Sequence, residues 1–130
     1  MTTAIQSQDS LLRGAIRYDA TGVGVMGLAI AALAGPFARM TGLTPTHAYI
    51  TGGAFVVYGV LGNYLAGRRA IRPIGTGFTI FNFVGAATQI AVAAAGLLSL
   101  TSAGKAVLVF GGLWALLFGV LQLAGVRRLG

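Results

Sequence analysis

The chain has 130 residues, 56% of them apolar and 8% charged, with 21 Gly and a mean hydropathy of +0.85; eleven charged side chains and one His cannot furnish the polar shell of a water-soluble domain. Nine basic residues against two acids give +7, but they punctuate apolar runs instead of forming a patch interleaved with exposed aromatics, which excludes a nucleic-acid groove and suggests membrane orientation. Cysteine is absent, which excludes disulfides, thiolate catalysis, iron-sulfur ligation and Cys-based zinc sites.

In chain order, polar residues 1–8 are expected to be flexible. Residues 9–18, in "DSLLRGAIRY", place Leu11, Leu12, Ala15 and Ile16 on one helical side and Arg13 and Arg17 on another, the pattern of a short interfacial helix capped by Asp9 or Ser10. Charges then divide the sequence: 19 uncharged residues lie between Asp19 and Arg39, 28 between Arg39 and Arg68, 32 between Arg72 and Lys105, and 21 between Lys105 and Arg127. About 20 apolar residues in a helix cross a hydrocarbon core of about 30 Å. The spacing predicts transmembrane helices over 20–38, 45–66, 73–98 and 103–126 within one membrane domain spanning 1–130.

Thr44 before Pro45 reads as an N-cap with proline at the first helical position, and Pro73 can start the third span in the same way. Pro36, after Gly35, should end or bend the first span near its far end. Arg13 and Arg17, an apolar stretch and "ALA" at 32–34 imitate a secretory leader, but Asp19 at the boundary and Pro36 two residues past the cut argue that the first span is retained.

Four spans put both termini on one side. That side collects Arg13, Arg17, Arg68, Arg69, Arg72, Arg127 and Arg128, against Arg39 and Lys105 opposite, so both termini and the "GRRAIRP" loop are expected to be cytoplasmic. Glycines on every span suit close helix packing in lipid. Tyr18 and Tyr64 should lie near the inner interface and Tyr49 near the outer one, while Trp114 falls deeper and its indole N–H needs a partner.

Helix rise places Asn63, Asn82 and Gln122 about 8, 14 and 8 Å from the inner ends of their spans, and Asp19 at the inner end of the first. The expected polar layer is therefore Asp19, Asn63, Asn82 and Gln122. It either fixes bundle register through interhelical bonds or lines a small cavity open to the cytoplasm. Asp19 can cap the first span, pair with Arg72 or Arg127, or serve a proton or ligand; Arg17, two residues away, is a nearby cation that does not face it along a regular helix.

His47, the sole histidine, reads as an interfacial side chain on the outer side, with pH sensing as the minor alternative. No metal constellation, bis-histidine haem site within the chain, Ser/His/Asp set or phosphate loop can be assembled, and "GVGVMG" has glycine spacing without a preceding strand. No cofactor is expected.

The series "RYDATGVGVMGLAIAALAGPFARMTGL", "GGAFVVYGVLGNYLAGRR" and "FNFVGA" resembles small bacterial four-helix membrane proteins broadly similar to the DoxX-like group. The matching positions are Arg17 and Asp19, Leu33 through Pro36, Gly42, Leu43 and Pro45, Arg68 and Arg69, and Asn82, whereas Phe83 stands where relatives often carry Trp. The resemblance implies a fold and a location, without an activity. The four-helix small multidrug transporters fit less well, because their acid lies deep in the bilayer and their charge bias is weak.

The expected architecture is an up-down-up-down four-helix membrane bundle with an N-terminal interfacial helix. The leading expectation for function is a non-enzymatic accessory or interaction subunit, partnered by the bilayer and by a membrane protein or a second copy. The alternative is a small-molecule or proton carrier using the polar layer.

Overall fold

A computed structural model describes residues 2–129, with side chains from Gln8 onward. The expected flexible lead at 1–8 lies outside the described residues, apart from the helical backbone from Thr2 and the Gln8 side chain. Among the described residues the chain is all helical: α1 Thr2–Ala32, α2 Ala34–Thr41, α3 Pro45–Leu65, α4 Ile71–Ala95 and α5 Ser102–Arg128.

Local chemistry sets most of these boundaries. Thr44 caps α3 by accepting from the His47 backbone N–H at 3.1 Å, Pro45 occupies the first turn, and Nδ1 of His47 accepts from the Thr44 N–H at 3.4 Å. This reciprocal capping box gives His47 a backbone role beyond that of an interfacial side chain. Thr101 caps α5 through the Gly104 N–H at 3.0 Å. α4 ends where Gly96 turns left-handed at φ 65. Its start lies two residues before Pro73, which sits within the first turn, where a missing N–H is tolerated.

Two expectations for the first span are corrected. Residues 9–18 form no separate interfacial helix: α1 runs unbroken through Asp19, because nothing in "RYDATG" interrupts the backbone ladder. The predicted span at 20–38 breaks at Leu33 (φ −114), and α2 leaves at 95° to α1. Pro36 explains the position, since its ring opposes the carbonyl of residue 32, one turn upstream. The short helix set across the others is therefore α2, with Ala34, Ala38 and Thr41 buried and Pro36, Arg39 and Met40 exposed.

Thr41 anchors the far end of α2. Its carbonyl accepts from the Thr101 N–H at 3.0 Å, and the Thr101 hydroxyl donates to the Met40 carbonyl. Gly104 lets α5 approach this point, because a Cβ there would collide with the Thr41 carbonyl.

Glycine also sets the packing of α1 on α3. Gly24 meets Gly59, Gly27 meets Gly52, and Ala20 meets Gly62, an antiparallel crossing in which backbones touch. α5 packs antiparallel on both α1 and α4, with Leu12 against Gly125 and Asn82 and Phe83 against Gly119. α3 and α4 stand further apart and meet through rings: Tyr58 is edge-on to Phe78 at 5.6 Å and stacked on Phe81 at 5.7 Å.

The exterior is more apolar than that of a water-soluble fold, and polar side chains are among those buried. The largest fully buried side chains are Leu12, Ile16, Gln122, Thr41 and Asp19, whereas Val25, Leu28, Ile50, Val60, Ile80, Val84, Leu113 and Leu117 are exposed. Ile71–Ala95 and Ser102–Arg128 are each long and apolar enough to cross a membrane, and Gln8–Ala32 with Ala34–Thr41 meets the same test as a bent pair. α3 is not among these candidates, because its four glycines and its Thr, His, Tyr and Asn side chains lower its hydropathy.

Candidate functional site

One face of α1 presents Leu12, Ile16 and Asp19 to the interior at helical spacing, and all three are fully buried. Leu12 and Ile16 belong to an apolar cluster with Ala66 and Ile71. Asp19, one turn further along, enters a polar knot. Tyr58 on α3 donates its hydroxyl to Oδ2 at 2.6 Å. Asn82 on α4 donates to the same oxygen at 3.0 Å, and Gln122 on α5 at 3.1 Å. The indole N–H of Trp114, also on α5, donates to Oδ1 at 3.0 Å.

All four partners supply hydrogens, so both oxygens of Asp19 act as acceptors in this network. The partners also bind one another. Asn82 Nδ2 donates to Gln122 Oε1 at 2.8 Å and lies 3.0 Å from the Phe78 carbonyl, sharing two hydrogens among several acceptors. Among the described residues no buried side-chain nitrogen or oxygen lacks a hydrogen-bond partner.

Glycine makes room for this knot. Gly22, three residues after Asp19 on the same face of α1, lies under the Trp114 ring, which would overlap any Cβ there. Gly119 accommodates the Cβ of Asn82 and the ring of Phe83. Small residues thus bring the donors within reach, and the donors compensate the burial of an acid.

The four residues expected to form a polar layer divide three to one. Asp19, Asn82 and Gln122 converge. Asn63 does not: its amide donates to Thr21 Oγ1 at 3.2 Å and to the Gly59 carbonyl at 2.8 Å, at the partly exposed edge of the α1–α3 contact. Tyr58, absent from the sequence reading of the layer, takes its place on α3, and Trp114 finds in Asp19 the partner its indole requires.

Two expectations for Asp19 are overturned. It caps no helix, since it lies well inside α1. Nor does it pair with a cation: among the described residues the only ion pair joins Arg13 to Asp9 at 3.1 Å. Arg72 and Arg127 are exposed at the ends of α4 and α5, and Arg17 is exposed with its guanidinium toward Gly67. Arg13, unassigned by the sequence beyond orientation, donates to the carbonyls of Ala66 at 2.6 Å and Arg68 at 2.8 Å, tying α1 to the end of α3.

The depth of the site follows from α3. Ala20 packs on Gly62, three residues before the last residue of α3, so Asp19 lies about 5 Å inside the α3 end that leads into Arg68 and Arg69. No group of three or more His, Cys, Asp or Glu residues capable of holding a metal ion occurs among the described residues. Comparison with protein-family models, with curated proteins and with solved structures finds no match.

Proposed function

We propose that this chain is a small, non-enzymatic integral membrane protein acting as an accessory or interaction subunit of a membrane complex or of an assembly of its own copies. In this reading α1, α3, α4 and α5 cross the bilayer up, down, up and down, and α2 lies along the outer surface. The arginines near the start of α1, between α3 and α4 and at the end of α5 keep both termini cytoplasmic. The resemblance to the DoxX-like group supports the same fold and location.

The observation that carries the reading is the contrast between a bonded interior and an apolar exterior. Every buried side-chain nitrogen and oxygen among the described residues has a hydrogen-bond partner within the protein, while a broad apolar surface faces outward. Such a molecule offers chemistry to its surroundings chiefly through that surface. Extraction in mild detergent followed by native mass spectrometry should give an oligomer or a complex. A lone monomer under every mild condition rejects the subunit reading.

A second reading, a proton or small-molecule carrier, is favoured by Asp19 itself. Ionisable groups at membrane depth are candidates for transport by default, and this one pairs with no cation among the described residues. Proteoliposome flux that disappears in Asp19→Asn supports the carrier, and flux unchanged by that substitution rejects it.

A further inference from the structure

We propose that the groove between α1 and α5 is a binding site for one acyl chain of an anionic phospholipid, whose head group is held at the basic inner end of α5. The proposal rests on the membrane location given above and assigns a specific lipid to one place on the surface.

The groove has a volume of about 480 Å³, with Leu11, Gly14 and Tyr18 of α1 on one wall and Trp114, Phe118 and Leu121 of α5 on the other. The ends of each wall are seven positions apart, so the trough runs about 10 Å along the helix axes, the direction in which a lipid chain lies. It exists because Gly14 leaves open space where a side chain would stand, while the Trp114 and Phe118 rings, 4.8 Å apart, fill the α5 side. No charged side chain lines it.

Charge distinguishes one lipid class from another. Leu12 packs on Gly125, so the Leu11 and Leu121 ends of the walls lie at the same end of the molecule. Seven residues past Leu121, on the same face of α5, stands Arg128, which is exposed and makes no ion pair among the described residues. Arg17, Arg68, Arg69, Arg72 and Arg127 share that end, where the other acid, Asp9, is already paired with Arg13. A basic end above an apolar trough complements a phosphate head group with a chain below it.

Trp114 is the only tryptophan in the chain and forms part of the groove wall, so its fluorescence reports the occupant. Full-length protein is reconstituted into phosphatidylcholine vesicles containing rising fractions of phosphatidylglycerol with brominated chains or, separately, brominated phosphatidylcholine. Brominated phosphatidylglycerol should reach half-maximal quenching at a mole fraction about fivefold lower, the preference expected from one arginine beside an anionic head group. Arg128→Gln should bring the two curves together. Gly14→Leu, whose Cβ would meet nothing within 4 Å and whose side chain would extend into the groove, should abolish the low-fraction quenching by phosphatidylglycerol.

Identical wild-type curves overturn the proposal, as does quenching that Gly14→Leu leaves unchanged. Trp114 that no brominated lipid quenches indicates that protein covers the groove, and also overturns it. A chain that stays in the aqueous phase and never enters vesicles defeats the membrane reading instead, so the two failures are distinguishable.

Discussion

The indole N–H of Trp114 donates to Asp19 Oδ1 at 3.0 Å across 95 residues of sequence, and Gly22 is the space that allows it. Gly22→Val should push the ring away and break the bond. The expected result is a shift in tryptophan emission together with a stability loss of about 1–3 kcal/mol, read from denaturant titration in mild detergent. An unchanged emission spectrum would show that the ring does not rest on Gly22.

Asp19→Leu removes the shared acceptor and leaves Tyr58, Trp114 and Gln122 with unused hydrogens. Each orphaned donor costs about 1–3 kcal/mol in a dry interior. The variant should therefore unfold far more readily than the parent, whereas Asn63→Leu, at a partly exposed edge, should cost less than about 1 kcal/mol. Equal losses for the two would place Asn63 back in the same network.

Gly52 and Gly53 are adjacent but face different surroundings. A Cβ on Gly52 would meet the Gly27 carbonyl and Ala31, whereas one on Gly53 meets nothing within 4 Å. Gly52→Leu should reduce folded yield or cost about 3 kcal/mol, and Gly53→Leu should leave stability nearly unchanged. Parallel thermal denaturation of the two variants in detergent checks the α1–α3 crossing.

Thr101 holds both the first turn of α5 and the last residues of α2. Thr101→Ala should cost about 1–2 kcal/mol and release α2. A spin label at position 39 should then become more mobile, while one at position 57 does not change.

The absence of cysteine makes sidedness directly measurable. Single cysteines at positions 69 and 105 in intact cells should differ: Lys105→Cys should react with a membrane-impermeant maleimide, and Arg69→Cys should react only after the cells are opened. The reverse pattern inverts the proposed orientation.

The helix starts written in local chemistry were legible, most clearly Thr44 with Pro45, because capping involves neighbours only. Asn82 and Gln122 were legible as a buried layer because depth follows from helix rise. Depth omits azimuth, however: Asn63 lies five residues from Tyr58, a rotation of about 140° around α3, so only one of the two can face Asp19. The larger correction concerns Asp19. A lone acid beside an apolar run reads as a boundary when its donors are 39 to 103 residues away, and the boundary of the first span followed from that reading. Pro36 carried the bend correctly, but the break falls one turn earlier, where its ring acts.

The Asp19 knot also bears on how the protein is made. An acid near hydrocarbon depth adds about 2.5–3.5 kcal/mol to the insertion of an isolated helix, and α1 emerges from the ribosome before any of its donors. Tyr58 follows 39 residues later, Asn82 63 later, and Gln122 103 later. In the proposed membrane topology, stable seating of α1 is therefore a late event in biogenesis, completed only when the last helix delivers its amide, and a nascent chain truncated before α5 should leave its first helix accessible to water.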